Sequence, residues 1–283
     1  MTTPRIAVVT GASRGAGKGI ALALGATGAT VYVTGRTTTT GESALPGTVA
    51  DTAAEVTRRG GTGVPMIVDH ADDAQVAALF EQIRSDHGRV DILVNNAITL
   101  PPALTKKGPF WRKPLDLTDL FDVGMRSAYV ATYYAAPLLT PGGLVVNTSS
   151  FGGTAYMHGP AYGAGKAAVD KMAHDMAVDF RPFEVAVVSL WMGLLKTERT
   201  VAAFDANPEM YSGLAATAES VEFPGRIIDA LHRDQGRMDR SGRVLVGAEL
   251  AQELGVVDVD GNRPPSHRPF LGDPPTFSDA VIE

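Results

Sequence analysis

The sequence predicts an α/β fold, a doubly wound parallel sheet with helices on both faces. Three observations predict it. Short apolar runs alternate with helix-period patterns along the chain. A glycine-rich turn, TGASRGAG, joins the first strand to the first helix. No internal repeat or shift in composition divides the chain, so 1–265 reads as one unit followed by a Pro-rich tail, 266–283.

The elements follow in order. Ile6–Thr10 is a buried strand, Lys18–Thr27 a helix with glycine at its end, and Val31–Thr34 the next strand. Residues 37–50 are polar and broken by Gly and Pro, hence a loop. Asp51–Gly60 is a short helix and Val64–Asp69 a strand. In Asp72–Gly88, Val76, Leu79, Phe80 and Ile83 fall at helical spacing behind an aspartate able to cap. Asp91–Asn95 is a strand, and 98–116 is irregular, with four prolines and an FW pair. A long helix over Leu117–Leu139 precedes the strand Leu144–Ser149. Tyr162–Phe180 is a helix, Val185–Trp191 a strand, 198–225 mixed, and Val244–Gly247 a last short strand. Such alternation covers a parallel sheet on both faces and places ligands at the carboxyl ends of its strands.

Bulk composition narrows the function. A formal net charge of −6 points to no nucleic-acid or anionic-membrane surface. The absence of cysteine excludes disulfides, thiol catalysis and Cys-ligated zinc. The amino-terminal segment does not read as a signal peptide, and no run approaches the ~20 apolar residues of a membrane span. The expected location is cytoplasmic. The histidines at 70, 87, 158, 174, 232 and 267 show no ligand spacing, so no metal site is expected.

In the glycine-rich turn, Gly11, Gly15 and Gly17 permit a tight turn and close approach of a pyrophosphate to the helix amino end. Ser13 and Arg14 lie between them. Ala12 and Gly19 stand where an NTPase phosphate loop needs other residues. The second strand ends VYVTGRT, with Gly35 at the position where a carboxylate would bind an NAD ribose, and Arg36 next. Arg14 and Arg36 therefore favour the 2′-phosphate of NADP(H) over NAD(H). Asp69 is placed to bond the adenine, and Asn95 to hold the turn over its ribose. Asn96 reads as a plain turn residue.

Tyr162 and Lys166 lie four apart in AYGAGKAA, downstream of LVVNTSS. Such a pair shares one helix face. The ammonium lowers the phenol pKa, so Tyr162 can give a proton to a carbonyl as a hydride arrives. Lys166 can also hold the nicotinamide ribose. A serine hydroxyl, Ser150 or Ser149, would hold the substrate oxygen; the strand pattern aligns Ser150.

TGASRGAG, Asp69, NNA, the SS strand, YGAGK and MGLLKT, in that order, resemble a short-chain dehydrogenase/reductase of the classical type over nearly the whole chain. The resemblance implies a Rossmann-type fold, a small carbonyl or alcohol substrate, Tyr162 as general acid/base with Lys166, and Thr197 as a ligand of the nicotinamide carboxamide. It also implies a homodimer or homotetramer built on the helices Leu117–Leu139 and Tyr162–Phe180, with Ala128, Ala131, Ala135, Ala167, Ala168 and Ala173 permitting close approach. FW at 110–111, DVGMRSAY and SLWMGLLKTE resemble a subgroup that reduces steroids and other carbonyl compounds with NADPH. Two departures stand out. Gly124 replaces the usual asparagine of the long helix, and Met192-Gly193 replaces Pro-Gly, which could loosen the nicotinamide loop. They support the alternative of an NADP(H)-binding regulator without turnover; the retained Ser, Tyr and Lys oppose it. Trp111, Trp191 and Met192 suit either an apolar pocket wall or ordinary packing, and Glu42, Asp51 and Glu55 a solvated face.

Overall fold

The structure, a computed structural model, describes residues 3–39, 41 and 45–282. Glu42 lies outside them. Seven parallel strands form one sheet in the order β3-β2-β1-β4-β5-β6-β7. They are β1 (Ile6–Val9), β2 (Thr30–Gly35), β3 (Thr62–Ile67), β4 (Val90–Asn95), β5 (Leu139–Ser149), β6 (Ala186–Trp191) and β7 (Val244–Val246). The first six strands are joined by α1 (Gly15–Gly25), α2 (Val49–Arg58), α3 (Asp73–His87), α4 (Ser127–Ala135) and α5 (Pro160–Phe180). Before β7 come α6 (Glu198–Ala206), α7 (Pro208–Thr217) and α8 (Phe223–Arg233); α9 (Gly247–Glu253) and α10 (Arg268–Leu271) follow it.

The inner strands read as apolar runs because both faces are covered. Alternate side chains serve different cores. Ala7, Val9, Val31, Val33, Val146 and Val188 pack with residues of α1 and α8. Ile6, Val8, Tyr32, Leu93, Val145 and Val187 pack with residues of α3, α4 and α5. Strand order reverses beside β1, which pairs with β2 on one side and β4 on the other. That reversal opens a crevice at the carboxyl ends of β1 and β4. The outer strand β3 carries Gly63 and Pro65, and its Ile67 is exposed.

Local signals fix the helix ends. Thr48 caps α2 and Asp72 caps α3, each accepting from backbone N–H groups of the first turn. Gly88 closes α3 in the left-handed region. Pro160 opens α5, where its missing N–H has no helical partner to lose.

The long helix expected over Leu117–Leu139 is not continuous. Val123 and Gly124 leave helical geometry, Gly124 at φ 144°. Val123 offers its carbonyl to Thr99 N–H at 2.9 Å instead of the helix. Regular helix spans only Ser127–Ala135, and Leu139 already belongs to β5. Gly124 is thus where the helix geometry departs, as glycine alone tolerates that φ readily.

The alanines expected at a subunit contact divide. Ala131, Ala135 and Ala173 belong to the chain's own core, and Ala128 is buried as well. The outward face of α4 shows Tyr129 and Tyr133, which with Met125, Ala168 and Met172 border an open apolar groove.

Helix α8 starts at the end of the segment read as mixed and continues through residues to which the sequence assigns no element; Pro224 and Gly225 open it. It buries Phe223, Ile227, Ile228 and Leu231 and packs on α1. The two helices meet through glycine: a Cβ on Gly225 would stand 2.7 Å from Ile20 Cα, and one on Gly19 1.9 Å from the Val221 carbonyl oxygen. Both obstacles are backbone, so no side chain can yield. Gly19→Ala should therefore lower stability by about 1–3 kcal/mol, the usual cost of overpacking. A urea midpoint that falls with unchanged slope is the expected reading.

Candidate active site

The turn after β1 is built from backbone. Gly11 (φ 65°) and Gly15 (φ 57°) are left-handed. At Gly17 a Cβ would lie 2.4 Å from Gly11 O and 2.5 Å from Asn96 Nδ2. Asn96, not Asn95, braces this turn: its amide donates to Thr10 O at 2.9 Å and Gly11 O at 3.2 Å. Asn95 ends β4 with its side chain turned into the sheet, donating to Thr132 Oγ1 and Asn147 Oδ1, both at 2.9 Å. Alternation along β4 puts it on that face, with Leu93.

The amino end of α1 has no acidic residue in its first turn and no side-chain cap of its own. A carboxylate from another helix fills that role. Gly15 N–H donates to Glu198 Oε2 at 3.0 Å. A helix amino end favours an anion, and here it holds one. Together with the Gly17 cradle, this fits the pyrophosphate of a dinucleotide.

Ser13 is buried, and its carbonyl accepts from Thr52 Oγ1 at 3.4 Å. Arg14 bonds to Pro46 O at 3.0 Å, Thr37 Oγ1 at 3.0 Å and Gly47 O at 2.8 Å, and so anchors the loop after β2 over the turn. Arg36 and Asp69 face each other at 3.5 Å, with 64% and 34% of their side chains exposed. The two residues assigned to the adenosine end of the cofactor therefore meet. Asp69 also accepts from Ala71 N–H at 3.0 Å.

At the ends of β5 and the start of α5, Ser150 Oγ and Tyr162 Oη are 2.9 Å apart. Lys166 Nζ lies 5.7 Å from the centre of the Tyr162 ring and donates to Thr148 O at 3.0 Å. Ser149 is fully buried and donates to the Lys166 carbonyl at 3.4 Å, so Ser150 alone of the two meets Tyr162.

The charges behave differently from the sequence expectation. Burial pushes the Tyr162 hydroxyl up, and the Ser150 hydrogen bond opposes it. Burial draws Lys166 down to about 8. The ammonium, turned toward Thr148 O, does not offset the burial of the phenol. His158 sits in the left-handed region at φ 61°, its ring 5.2 Å from that of Tyr162 and edge-on. Burial, and then the Lys113 charge, pushes its pKa down. It also lines an apolar cavity of about 270 Å³ with Leu104, Leu117, Phe121 and Ala161.

Thr197 caps α6, its hydroxyl accepting from Thr200 N–H at 3.2 Å, and its methyl lies 3.6 Å from where a Gly15 Cβ would be. Met192 and Gly193 are not loose. Met192 N–H donates to Ser149 O at 3.3 Å and Gly193 N–H to Glu219 Oε2 at 3.2 Å. Burial pushes the Glu219 carboxyl up to about 7. Trp191, a candidate pocket wall, is fully buried, whereas Trp111 is exposed. Asn96, Glu198 and Glu219 are thus functional candidates that the sequence did not single out. Only Asn96 carried a signal, as the first residue past the end of β4.

The short chain dehydrogenase family model matches residues 5–208. Dehydrogenase/reductase SDR family member 1 of Mus musculus is 40% identical over 270 residues, covering 91% of this chain and 84% of that protein. Its Homo sapiens counterpart is 38% identical with the same coverage. A short chain dehydrogenase structure from Mycobacterium thermoresistibile superposes with a TM-score of 0.77 at 22% identity, over 93% of this chain and 92% of that one, a likeness of fold. With a dinucleotide cradle at β1 and a Ser–Tyr–Lys group at β5 and α5, the chain belongs to the short-chain dehydrogenase/reductase family, whose members are NAD(P)-linked oxidoreductases.

Proposed function

We propose that this protein is an NADP(H)-dependent oxidoreductase acting on the carbonyl or secondary alcohol carbon of a small apolar molecule. The observation that carries the reading is the 2.9 Å contact of Ser150 Oγ with Tyr162 Oη beside a buried lysine. The nicotinamide, when bound, supplies or accepts the hydride. Gly11, Ser13, Gly15 and Gly17 hold the dinucleotide through the turn, with Thr197 beside it and Asn95 beneath the strand end. Ser150 orients the substrate oxygen. Tyr162 gives it a proton during reduction. Lys166 holds positive charge next to the phenol and lowers the cost of the tyrosinate that forms. The apolar cavity beside His158 supports an apolar substrate.

The cofactor preference rests on Arg14 and Arg36. Gly35 ends β2, so no acid from that strand stands beside Arg36. Asp69 faces Arg36 across 3.5 Å, and the exposure of both leaves that pair weak. A 2′-phosphate would draw Arg36 away by a stronger, charge-assisted contact. Assembly is proposed through the outward face of α4 and α5, on which Tyr129 and Tyr133 are exposed.

Three outcomes are expected. Tyr162→Phe should cost roughly a hundredfold or more in turnover with a panel of ketones and aldehydes, while NADPH binding, followed by fluorescence, persists. Unchanged turnover in folded protein would remove the mechanism. Arg14→Ala with Arg36→Asp should shift preference toward NADH; a wild-type protein that already prefers NADH contradicts the charge argument. Tyr133→Glu should give a single-chain mass by light scattering where the wild type gives a multiple.

A further inference from the structure

Asp170 is a fully buried carboxylate on the helix that carries Tyr162 and Lys166, and the steps above assign it no part. The three residues recur every fourth position, so they share one face of α5. Asp170 Oδ2 accepts from Trp191 Nε1 at 2.9 Å, and its Oδ1 meets Ser189 Oγ at 2.5 Å. Ser149 is a further hydrogen-bond partner. An indole N–H can only donate, so Oδ2 is an acceptor. The segment after β5 closes tightly over the group: a Cβ on Gly153 would stand 2.6 Å from Asp170 Oδ2.

All these partners are neutral. The groups that face Asp170 are Lys166 from α5, Ser149 from β5, and Ser189 and Trp191 from β6. Lys166 alone among them bears charge. Lys166 faces Tyr162 on its own helix and the Thr148 carbonyl on β5. Among the described residues, Asp170 is the one charged side chain whose field acts on it. Burial pushes the Asp170 carboxyl up, while the Ser189, Ser149 and Trp191 hydrogen bonds and then the Lys166 charge hold it down; the two groups lie one helical turn apart in a dry site where screening is weak.

We propose that Asp170 is a positioning residue whose carboxylate is the buried counter-ion that keeps Lys166 an ammonium beside Tyr162. The inference rests on the proposed roles of Tyr162 and Lys166. Burial draws Lys166 down to about 8, and Asp170 opposes the fall. Without that charge the lysine loses its proton at lower pH. The alkaline limb of carbonyl reduction then moves toward neutrality.

Asp170→Asn keeps the volume; its amide oxygen can accept from Trp191 while its NH₂ donates to Ser189 Oγ. The first readout needs no substrate: the ¹⁵N resonance of Lys166 Nζ, titrated in lysine-labelled full-length protein. Its midpoint should fall by about one pH unit in the variant. The second is the pH profile of kcat/KM for NADPH-dependent reduction of the best ketone of the panel. Its alkaline limb should move by the same amount while the low-pH plateau is retained. A structural role alone predicts an equal loss at every pH and an unmoved midpoint, and that result overturns the proposal. If Asp170→Asn does not fold, Trp191→Phe removes one donor from the carboxylate, raises its proton affinity, and should move both readouts the same way by less. Unmoved readouts there overturn it too. Tyr162→Phe, measured alongside, separates the failures. Retained activity in that variant removes the acid–base reading. Lost activity there with an unmoved lysine midpoint in Asp170→Asn removes only the counter-ion.

Discussion

At Gly17 a Cβ would stand 2.4 Å from the Gly11 carbonyl, and at Gly19 one would stand 1.9 Å from the Val221 carbonyl. Helix α1 is therefore held between two stretches of backbone, its own turn on one side and the lead-in to α8 on the other. The position of its amino end follows from that confinement rather than from side-chain choice. Asn96 completes the arrangement by tying the end of β4 to the same turn. The crevice where the strand order reverses thus has a rigid floor of N–H groups. Ser150, Tyr162 and Lys166 are brought to it by the parallel register of β4, β5 and β6.

Burial sets the chemistry on the other side of that crevice. Lys166 and Glu219 move to about 8 and about 7 respectively, each because water is excluded. Both values lie close to neutrality, where a group can gain or lose a proton at small cost. Glu219 receives a backbone N–H from Gly193, so the segment that would cover a nicotinamide is tied to a carboxyl group. The family proline, absent here, has no N–H to offer; Met192, which stands in its place, donates its own to Ser149 O.

The fold was legible because strands buried on both faces read as plain apolar runs. Tyr162, Lys166 and Ser150 were legible because their spacing on one helix and one strand end is local. What escaped was decided by contacts between distant segments. The break at Gly124 depends on a hydrogen bond between Val123 and Thr99. The pairing of Arg36 with Asp69 depends on the ends of neighbouring strands. The exchange of roles between Asn95 and Asn96 turns on a single residue of pleat. Glu198 reaches Gly15 from far along the chain. Helix α8 escaped for a different reason: its first turn is Phe-Pro-Gly, which resembles a turn until the amphipathic residues beyond it are counted.

The outer strand β3 bears on how the sheet ends. An outer strand leaves a row of N–H and carbonyl groups open to pairing with another chain. Pro65 removes one N–H from that row, and Gly63 withholds a side chain that would stiffen it. At the opposite border β7 is only three residues long and passes directly into α9. Neither border offers the long, regular template on which a foreign strand could zip. Pairing with a strand of another chain is thus disfavoured at both borders of the sheet.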